Sequence, residues 1–380
     1  MDPKLFENGS GRIVKTIDGA WAFVPNPLPP KMSWDGDLSP QLARSSHSLG
    51  NLSGLGESPN LNSQLLIYPF IRREAVLSSA IEGTQSSLSD LLLFEATKIE
   101  KQKDVKEVQN YVEALEHGIK LLEKLPLSLR FIREIHKTLM QGVRGSRITP
   151  GQFRNGQNWI GPKGTKIKDA TYVPPPVQEM NDALDRLEHF LHEEDTIPPL
   201  MKAALIHYQF EAIHPFWDGN GRVGRLLVVL FLIQQKLLSK PLLYLSAYFE
   251  RNRSRYYELL SAISQRNAWK EWIEFFLQGV ESQSQNAIKR SRELLSLQQE
   301  YHKLLLDSRM PSSTIRLLDY IFMRPVITIS STAKSLKLSY PTVNNSIKQL
   351  KNIGILKMVS GRKRYRVYSA ERIMRILEAE

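Results

Sequence analysis

Apolar residues recur three and four positions apart through most of the chain from Leu65 to about Met323, the spacing of one buried helical face. The pattern predicts amphipathic helices over residues 105–125 and 129–140, and helices again from Val177 onward. The longest apolar run, Leu226 to Ile233, is too short to cross a membrane and predicts a buried element. Residues 280–307, with a polar face, predict a long connecting helix. Two stretches break the rhythm. Residues 1–60, with Pro25-Asn26-Pro27-Leu28-Pro29-Pro30, predict irregular, extended chain and a short helix near Leu42. The segment GQFRNGQNWIGPKGTKIKDATYVPPP (151–176) mixes Gly, Pro and short β-prone runs, and predicts a hairpin or flap.

The last 70 residues follow a separate pattern. Helices are predicted over 312–322 and 329–336, and a third from Ser339-Tyr340-Pro341-Thr342 to about Ile353. Ser339 serves as its N-cap, Pro341 sits in its first turn and Gly354 stops it. Residues 355–368 then alternate around a basic turn as a β-wing would, so the whole resembles a winged helix-turn-helix.

Charge sharpens this division. From Pro311 to Glu380 there are thirteen Lys/Arg and four Asp/Glu, so this stretch carries +9 of the total +12. That localises any attraction for an anionic partner to the terminal module. If the module binds DNA, Thr342, Asn344, Asn345 and Lys348 are expected to face a groove, with Arg362, Lys363 and Arg364 on phosphates. Protein contacts are the other use of such a module. The chain has no cysteine, which excludes disulfides, thiolate metal sites and thiol nucleophiles. Its N-terminus, MDPKLFENGSGRIVKT, has no apolar core of signal-peptide length, so a cytoplasmic protein is expected.

The densest chemistry lies at His214–Arg225, HPFWDGNGRVGR. Gly219-Asn220-Gly221-Arg222-Val223-Gly224 matches the dinucleotide pattern G-x-G-x-x-G, but a helical segment precedes it where a strand is required. GQNWIGPKGT (156–165) fails as a P-loop because Pro162 stands where lysine belongs. A third reading takes each residue by its chemistry. The glycine-rich turn enters a helix and offers N–H groups and a positive dipole end to phosphate. Arg222 and Arg225 add charge-assisted bonds. Asp218 suits Mg²⁺, which binds through few carboxylates plus substrate phosphates. His214 can take a proton from an attacking hydroxyl. Together these suit phosphoryl or nucleotidyl transfer to an alcohol. The plain alternative is a helix-connecting loop with a buried histidine and surface arginines; four such residues in one turn weigh against it.

The same twelve residues resemble the Fic-family signature H-x-F-x-[D/E]-G-N-G-R-x-x-R at every defined position. The resemblance implies transfer of AMP from ATP, with Mg²⁺, to a Ser, Thr or Tyr hydroxyl of a target protein, self-modification included. It implies His214 as base, Asp218 as metal ligand, Asn220 with its flanking Gly219 and Gly221 in the anion hole, Gly224 among the nucleotide-binding residues, and Arg222 and Arg225 on nucleotide phosphates. Phe216 is then a packing anchor. Residues 156–173 are identified with the family's flap, with Trp159, Ile160 and Gly161 bordering the nucleotide. Arg253-x-x-Tyr256-Tyr257 resembles a downstream segment whose tyrosines lie near the adenine. The fold class this implies is mainly α: an all-helical Fic core with a β-hairpin flap, plus a C-terminal winged-helix domain.

Ser78-Ser79-Ala80-Ile81-Glu82-Gly83 raises a separate point. Gly83 reads as a helix end and Ser87-x-x-Asp90 as a capping box opening the next helix. Glu82 therefore lies in a last turn, where the helix dipole disfavours a carboxylate. These residues resemble the family's inhibitory motif [S/T]-x-x-x-E-[G/N], with Ser78, Glu82 and Gly83 in register. The resemblance implies a glutamate that pairs with Arg225 and withdraws it from the γ-phosphate. Relatives often dimerise, so a homodimer is implied too. The expected organisation is an N-terminal helical region with the inhibitory helix (1–110), catalytic core (111–280), connecting helix (281–310) and winged helix (311–380). Two other readings stay open: a DNA-binding regulator using the fold as scaffold, and removal of AMP or transfer of another phosphate-containing group.

Overall fold

The computed structural model describes residues 1–32, 36–57, 64–99, 104–143, 149–162, 164–359 and 366–379. A hairpin of β1 (Gly11–Lys15) and β2 (Trp21–Pro25) precedes α1 (Ser39–Glu57), α2 (Gln64–Ile81), α3 (Leu88–Thr97), α4 (Val105–Leu121) and α5 (Leu129–Leu139). After the flap segment come α6 (Val177–His192), α7 (Pro199–Ile213), α8 (Asn220–Gln234), α9 (Ser246–Arg251), α10 (Arg253–Arg266) and α11 (Trp269–Asp307). The chain closes with α12 (Ser312–Met323), β3 (Val326–Thr328), α13 (Ile329–Leu336), α14 (Tyr340–Asn352), β4 (Lys357–Met358), β5 (Val367–Ser369) and α15 (Glu371–Glu378). The fold is mainly helical with small sheets, and no helix among the described residues is long and apolar enough to cross a membrane.

The chain divides into two compact units. The first comprises residues 1–50, 110–239 and 245–283. Its centre is the α7–α8 pair, buried on nearly every side because both helices are apolar around their circumference. Gly224 permits their approach, since a Cβ there would fall 2.3 Å from Glu211 Oε1. Trp272 of α11 locks onto this pair, its Nε1 donating to Ala204 O at 3.0 Å. The β1–β2 hairpin runs from Gly11 opposite Pro25 to Lys15 opposite Trp21. It forms where the sequence pattern predicts only irregular chain: Ala22, Phe23 and Val24 are all buried, so tertiary burial replaces the missing alternation. Phe23 N–H donates to Val173 O at 2.9 Å, which ties the hairpin to the end of the flap segment.

The second unit comprises residues 51–109, 240–244 and 284–380. It holds α2, α3, the later part of α11 and all the C-terminal elements. The predicted helices over 312–322, 329–336 and 339–353 are present, with Ser339 Oγ capping Thr342 N–H as the sequence implies. Here β5 lies between β3 and β4, antiparallel to both, pairing Val326 and Lys357 with Ser369. Arginines cover the last carbonyls of α15: Arg73 donates to Ala379 O at 3.0 Å, and Arg290 donates to Ile376 O at 2.6 Å and to Ala379 O. Two expectations are corrected. α1 runs for 19 residues, not as a short helix, and α11 is one continuous helix of 39 residues that begins well before residue 280.

Candidate active site

The signature residues occupy the turn between α7 and α8. His214 leaves α7 in the left-handed conformation (φ 49°, ψ 59°), its N–H still donating to Phe210 O at 3.0 Å. Gly219 is the N-cap of α8 at φ 80°, a region glycine enters without strain. A Cβ there would also lie 2.9 Å from Met140 Sδ. Asn220 clamps the turn from inside: its Oδ1 accepts from Phe216 N–H and its Nδ2 donates to Phe216 O, both at 2.8 Å. Among the described residues no side chain caps α8, so its first N–H groups keep their donor capacity for an anion. Arg222 rises from the first turn of α8 and Arg225 from the second, and each is only 3% exposed.

Asp218 differs from its neighbours, with a side chain 51% exposed. Its Oδ1 accepts from Gly219 N–H at 2.6 Å and lies 3.4 Å from Arg222 Nη2. Among the described residues no donor reaches its Oδ2. His214 Nδ1 lies 3.3 Å from Glu211 O. A carbonyl only accepts, so this contact selects the tautomer protonated at Nδ1 and puts the lone pair on Nε2.

Three residues that sequence reasoning passed over hold this loop. Arg154, 1% exposed, donates from Nε to His214 O at 3.0 Å, from Nη1 to Gly156 O at 2.9 Å and from Nη2 to Pro175 O at 2.5 Å. Burial pulls its pKa down to about 10, which leaves it a cation at neutral pH. Asn158 Nδ2 donates to Phe216 O at 2.9 Å. His136 of α5 stacks on Phe216 with ring centroids 3.6 Å apart; its Nδ1 accepts from Gly151 N–H at 3.0 Å and its Nε2 donates to Asp218 O at 3.1 Å. Burial pushes His136 down to about 4, so it is neutral. One signal was readable: His136 follows Ile132 by four positions on the apolar face of α5.

Among the described residues the flap segment closes with a single bridge, Ile160 opposite Tyr172, in place of a longer ladder. Trp159 and Ile160 are 37% and 40% exposed, and Trp159 Nε1 donates to Thr165 O at 2.8 Å. A Cβ on Gly161 would meet Thr165 at 3.3 Å. Tyr172 OH donates to Ala212 O at 2.8 Å and anchors the far side to the end of α7. The two downstream tyrosines part company. Tyr256 is buried, ring to ring with Phe249 at 4.6 Å, and its hydroxyl lies 2.8 Å from His207 Nε2, whereas Tyr257 is exposed.

In the second unit, Ser78 is buried inside α2, Glu82 is exposed just past its end, and Gly83 turns the chain at φ 93°. The Ser87–Asp90 capping box forms as the sequence implies. On α14, Asn345 and Lys348 are exposed, while Thr342 and Asn344 are half-buried. Arg362, Lys363 and Arg364 lie outside the described residues.

Residues 39–120 match the family description "Fic/DOC family N-terminal", and residues 126–232, which contain the whole signature, match "Fic/DOC family". Over these segments this is a Fic/DOC family protein. Among curated proteins, the chain is similar to protein adenylyltransferase Fic of Drosophila virilis, 33% identical over 142 residues, which is 37% of this chain and 26% of the relative. It is likewise similar to that of Drosophila grimshawi, 35% identical over 116 residues, covering 30% and 22% of the two chains. The chain thus spans about a quarter of the length of these relatives. The fold is that of a Fic family protein from Desulfovibrio desulfuricans G20, with TM-score 0.56, 21% identity, and 90% of this chain and 98% of that one covered. Fic-1 from C. elegans shares it at TM-score 0.51 and 19% identity, over 67% of this chain and 74% of its own.

Proposed function

We propose that this Fic protein is an autoinhibited adenylyltransferase that moves AMP from ATP to a Ser, Thr or Tyr hydroxyl of a protein, itself included. The observation that carries the reading is the uncapped N-terminus of α8, flanked by buried Arg222 and Arg225 beside a histidine whose Nδ1 faces a carbonyl. The acceptor oxygen attacks the α-phosphorus while its proton passes to His214 Nε2. The bond to the β-phosphate breaks, and pyrophosphate leaves with the electron pair. Gly219 and Gly221 let backbone and phosphate approach, Gly224 lets α7 and α8 close together behind the turn, Asn220 holds the turn, and the two arginines bind the phosphates. Trp159, Ile160, Gly161 and Tyr257 border the nucleotide; Tyr256 supports them from below.

Asp218 fits a Mg²⁺ ion, being a single half-exposed carboxylate with one oxygen already engaged by the turn. Bound there with ATP, the ion supplies charge neutralisation for the phosphates.

In this reading Glu82, with Ser78 and Gly83, restrains the enzyme by pairing with Arg225. The exposed Asn345 and Lys348 of α14 favour DNA as a second partner, through a winged helix. The decisive experiment is the intact mass of wild type, Glu82→Gly and His214→Ala after incubation with ATP and Mg²⁺. One added AMP on Glu82→Gly, absent from His214→Ala, is the expected result. No added mass on any form, together with no ATP binding by Glu82→Gly, would overturn the proposal.

A further inference from the structure

Within the second unit, α3, the end of α12 and the helix α13 enclose a cavity of about 180 Å³ whose lining includes Glu95, Lys98, Arg324, Ser331, Lys334 and Ser335. The carboxylate of Glu95 is already spent. Arg72 Nε donates to both of its oxygens at 3.0 Å, Arg72 Nη2 lies 2.8 Å from Oε1, and Tyr68 OH donates to Oε2 at 2.7 Å. That ion pair is buried, with side chains 4% and 6% exposed, so it is neutral as a unit and leaves the other three cations uncompensated. The Arg324 guanidinium lies over the Tyr68 ring at 4.4 Å. A ring face satisfies the flat of a guanidinium but none of its five in-plane N–H donors. No carboxylate among the described residues pairs with Lys98, Arg324 or Lys334.

A plainer account is that Lys98 and Arg324, at the C-caps of α3 and α12, offset helix dipoles. Lys334, in the last turn of α13, falls under the same account by sign. What the account does not cover is the convergence of all three cations on one cavity. The volume equals roughly six waters. It admits a phosphate group.

We propose that this cavity binds a small phosphate-bearing anion, held by Arg324 as a fork and by Lys98 and Lys334 as point charges. The inference stands apart from the transferase reading, and its test uses no activity. Hydrogen exchange of the full chain is compared in inorganic phosphate and in potassium chloride of equal ionic strength. Phosphate is expected to slow exchange in peptides covering 92–98 and 324–335. Arg324→Gln and Lys334→Gln are each expected to weaken that protection about tenfold in phosphate concentration. Lys334 is exposed, so its variant tests the site without risk to folding. Equal protection in chloride, or undiminished protection in both variants, overturns the proposal. So does protection confined to residues 214–225, where phosphate would occupy the signature turn alone. Protection by duplex DNA but not by phosphate assigns the three cations to nucleic acid and overturns it as well.

Discussion

Arg154 and His214 are joined by a hydrogen bond of 3.0 Å from guanidinium Nε to carbonyl oxygen, and the same guanidinium also reaches Gly156 O and Pro175 O. One buried cation thus ties the backbone of the proposed base to both ends of the flap segment. Charge-assisted bonds to buried carbonyls contribute about 1.5–3 kcal/mol each. Removing the donor also strands the acceptors.

Arg154→Ala is therefore expected to destabilise the protein by at least about 4 kcal/mol and to lower AMP transfer more than ATP binding. Arg154→Lys, which keeps the charge and loses the fork, should recover stability only in part. Urea denaturation and nucleotide titration of the purified variants check both. Unchanged stability in Arg154→Ala would mean that the flap and the signature loop hold without it.

The two tyrosines of the downstream segment should separate by role. Tyr256 is 1% exposed within an aromatic stack, so Tyr256→Ala is expected to cost about 3–5 kcal/mol of stability. Tyr257 is 43% exposed, so Tyr257→Ala should leave the melting temperature near wild type and weaken ATP binding. Calorimetry of both variants, with and without ATP, distinguishes them. A nucleotide effect from Tyr257→Ala no larger than from a distant surface change would remove Tyr257 from the site.

What could be read without the structure follows from how local each signal is. The signature turn was legible because glycines, an amide and charges sit within twelve consecutive residues, and the folded turn uses those same neighbours: Asn220 bonds Phe216, and Asp218 meets Gly219 and Arg222. Arg154 was not legible. Its partners lie 60, 2 and 21 residues away and are backbone carbonyls, which carry no residue identity. The β1–β2 hairpin was hidden for a related reason: Ala22, Phe23 and Val24 are buried in succession, so the strand lacks a period of two. The helices of the C-terminal segment were legible to within a residue or two, because Ser339 and Gly354 mark their ends by local chemistry.

Histidine burial sets a pH dependence. His207 is stacked among Phe249, Tyr256 and Trp272, faces the Tyr256 hydroxyl, and feels the Arg225 charge; burial first, then that cation, push its pKa down to about 3. The unfolded chain binds this proton below about pH 6.5, and the folded chain does not until about pH 3. The unfolded state thus holds more protons across that window, and stability falls as pH falls. The slope from this residue alone is about 1.4 kcal/mol per pH unit, or about 2 kcal/mol lost between pH 7 and pH 5. Urea midpoints measured across that range should drop accordingly, and His207→Phe should remove this residue's share of the slope and leave that of His136. A profile of unchanged slope in the variant would show that His207 does not carry it.

The last prediction concerns α14. Ser339 caps this helix, Val343, Ile347 and Leu350 bury one side, and Asn345 and Lys348 stand on the exposed side. With Lys351 and Asn352 also exposed, the helix presents amides and cations outward, which suit base edges and phosphates respectively. If it enters a DNA groove, Lys348→Ala should weaken binding to every duplex alike and reduce the slope of log affinity against log salt by about 1. Asn345→Ala should leave that slope unchanged and flatten the preference among sequences. Fluorescence anisotropy over a salt series separates the two effects. An absence of duplex binding even at low salt would turn this face toward a protein partner, because a segment carrying +9 that ignores a polyanion is not recognising it by charge.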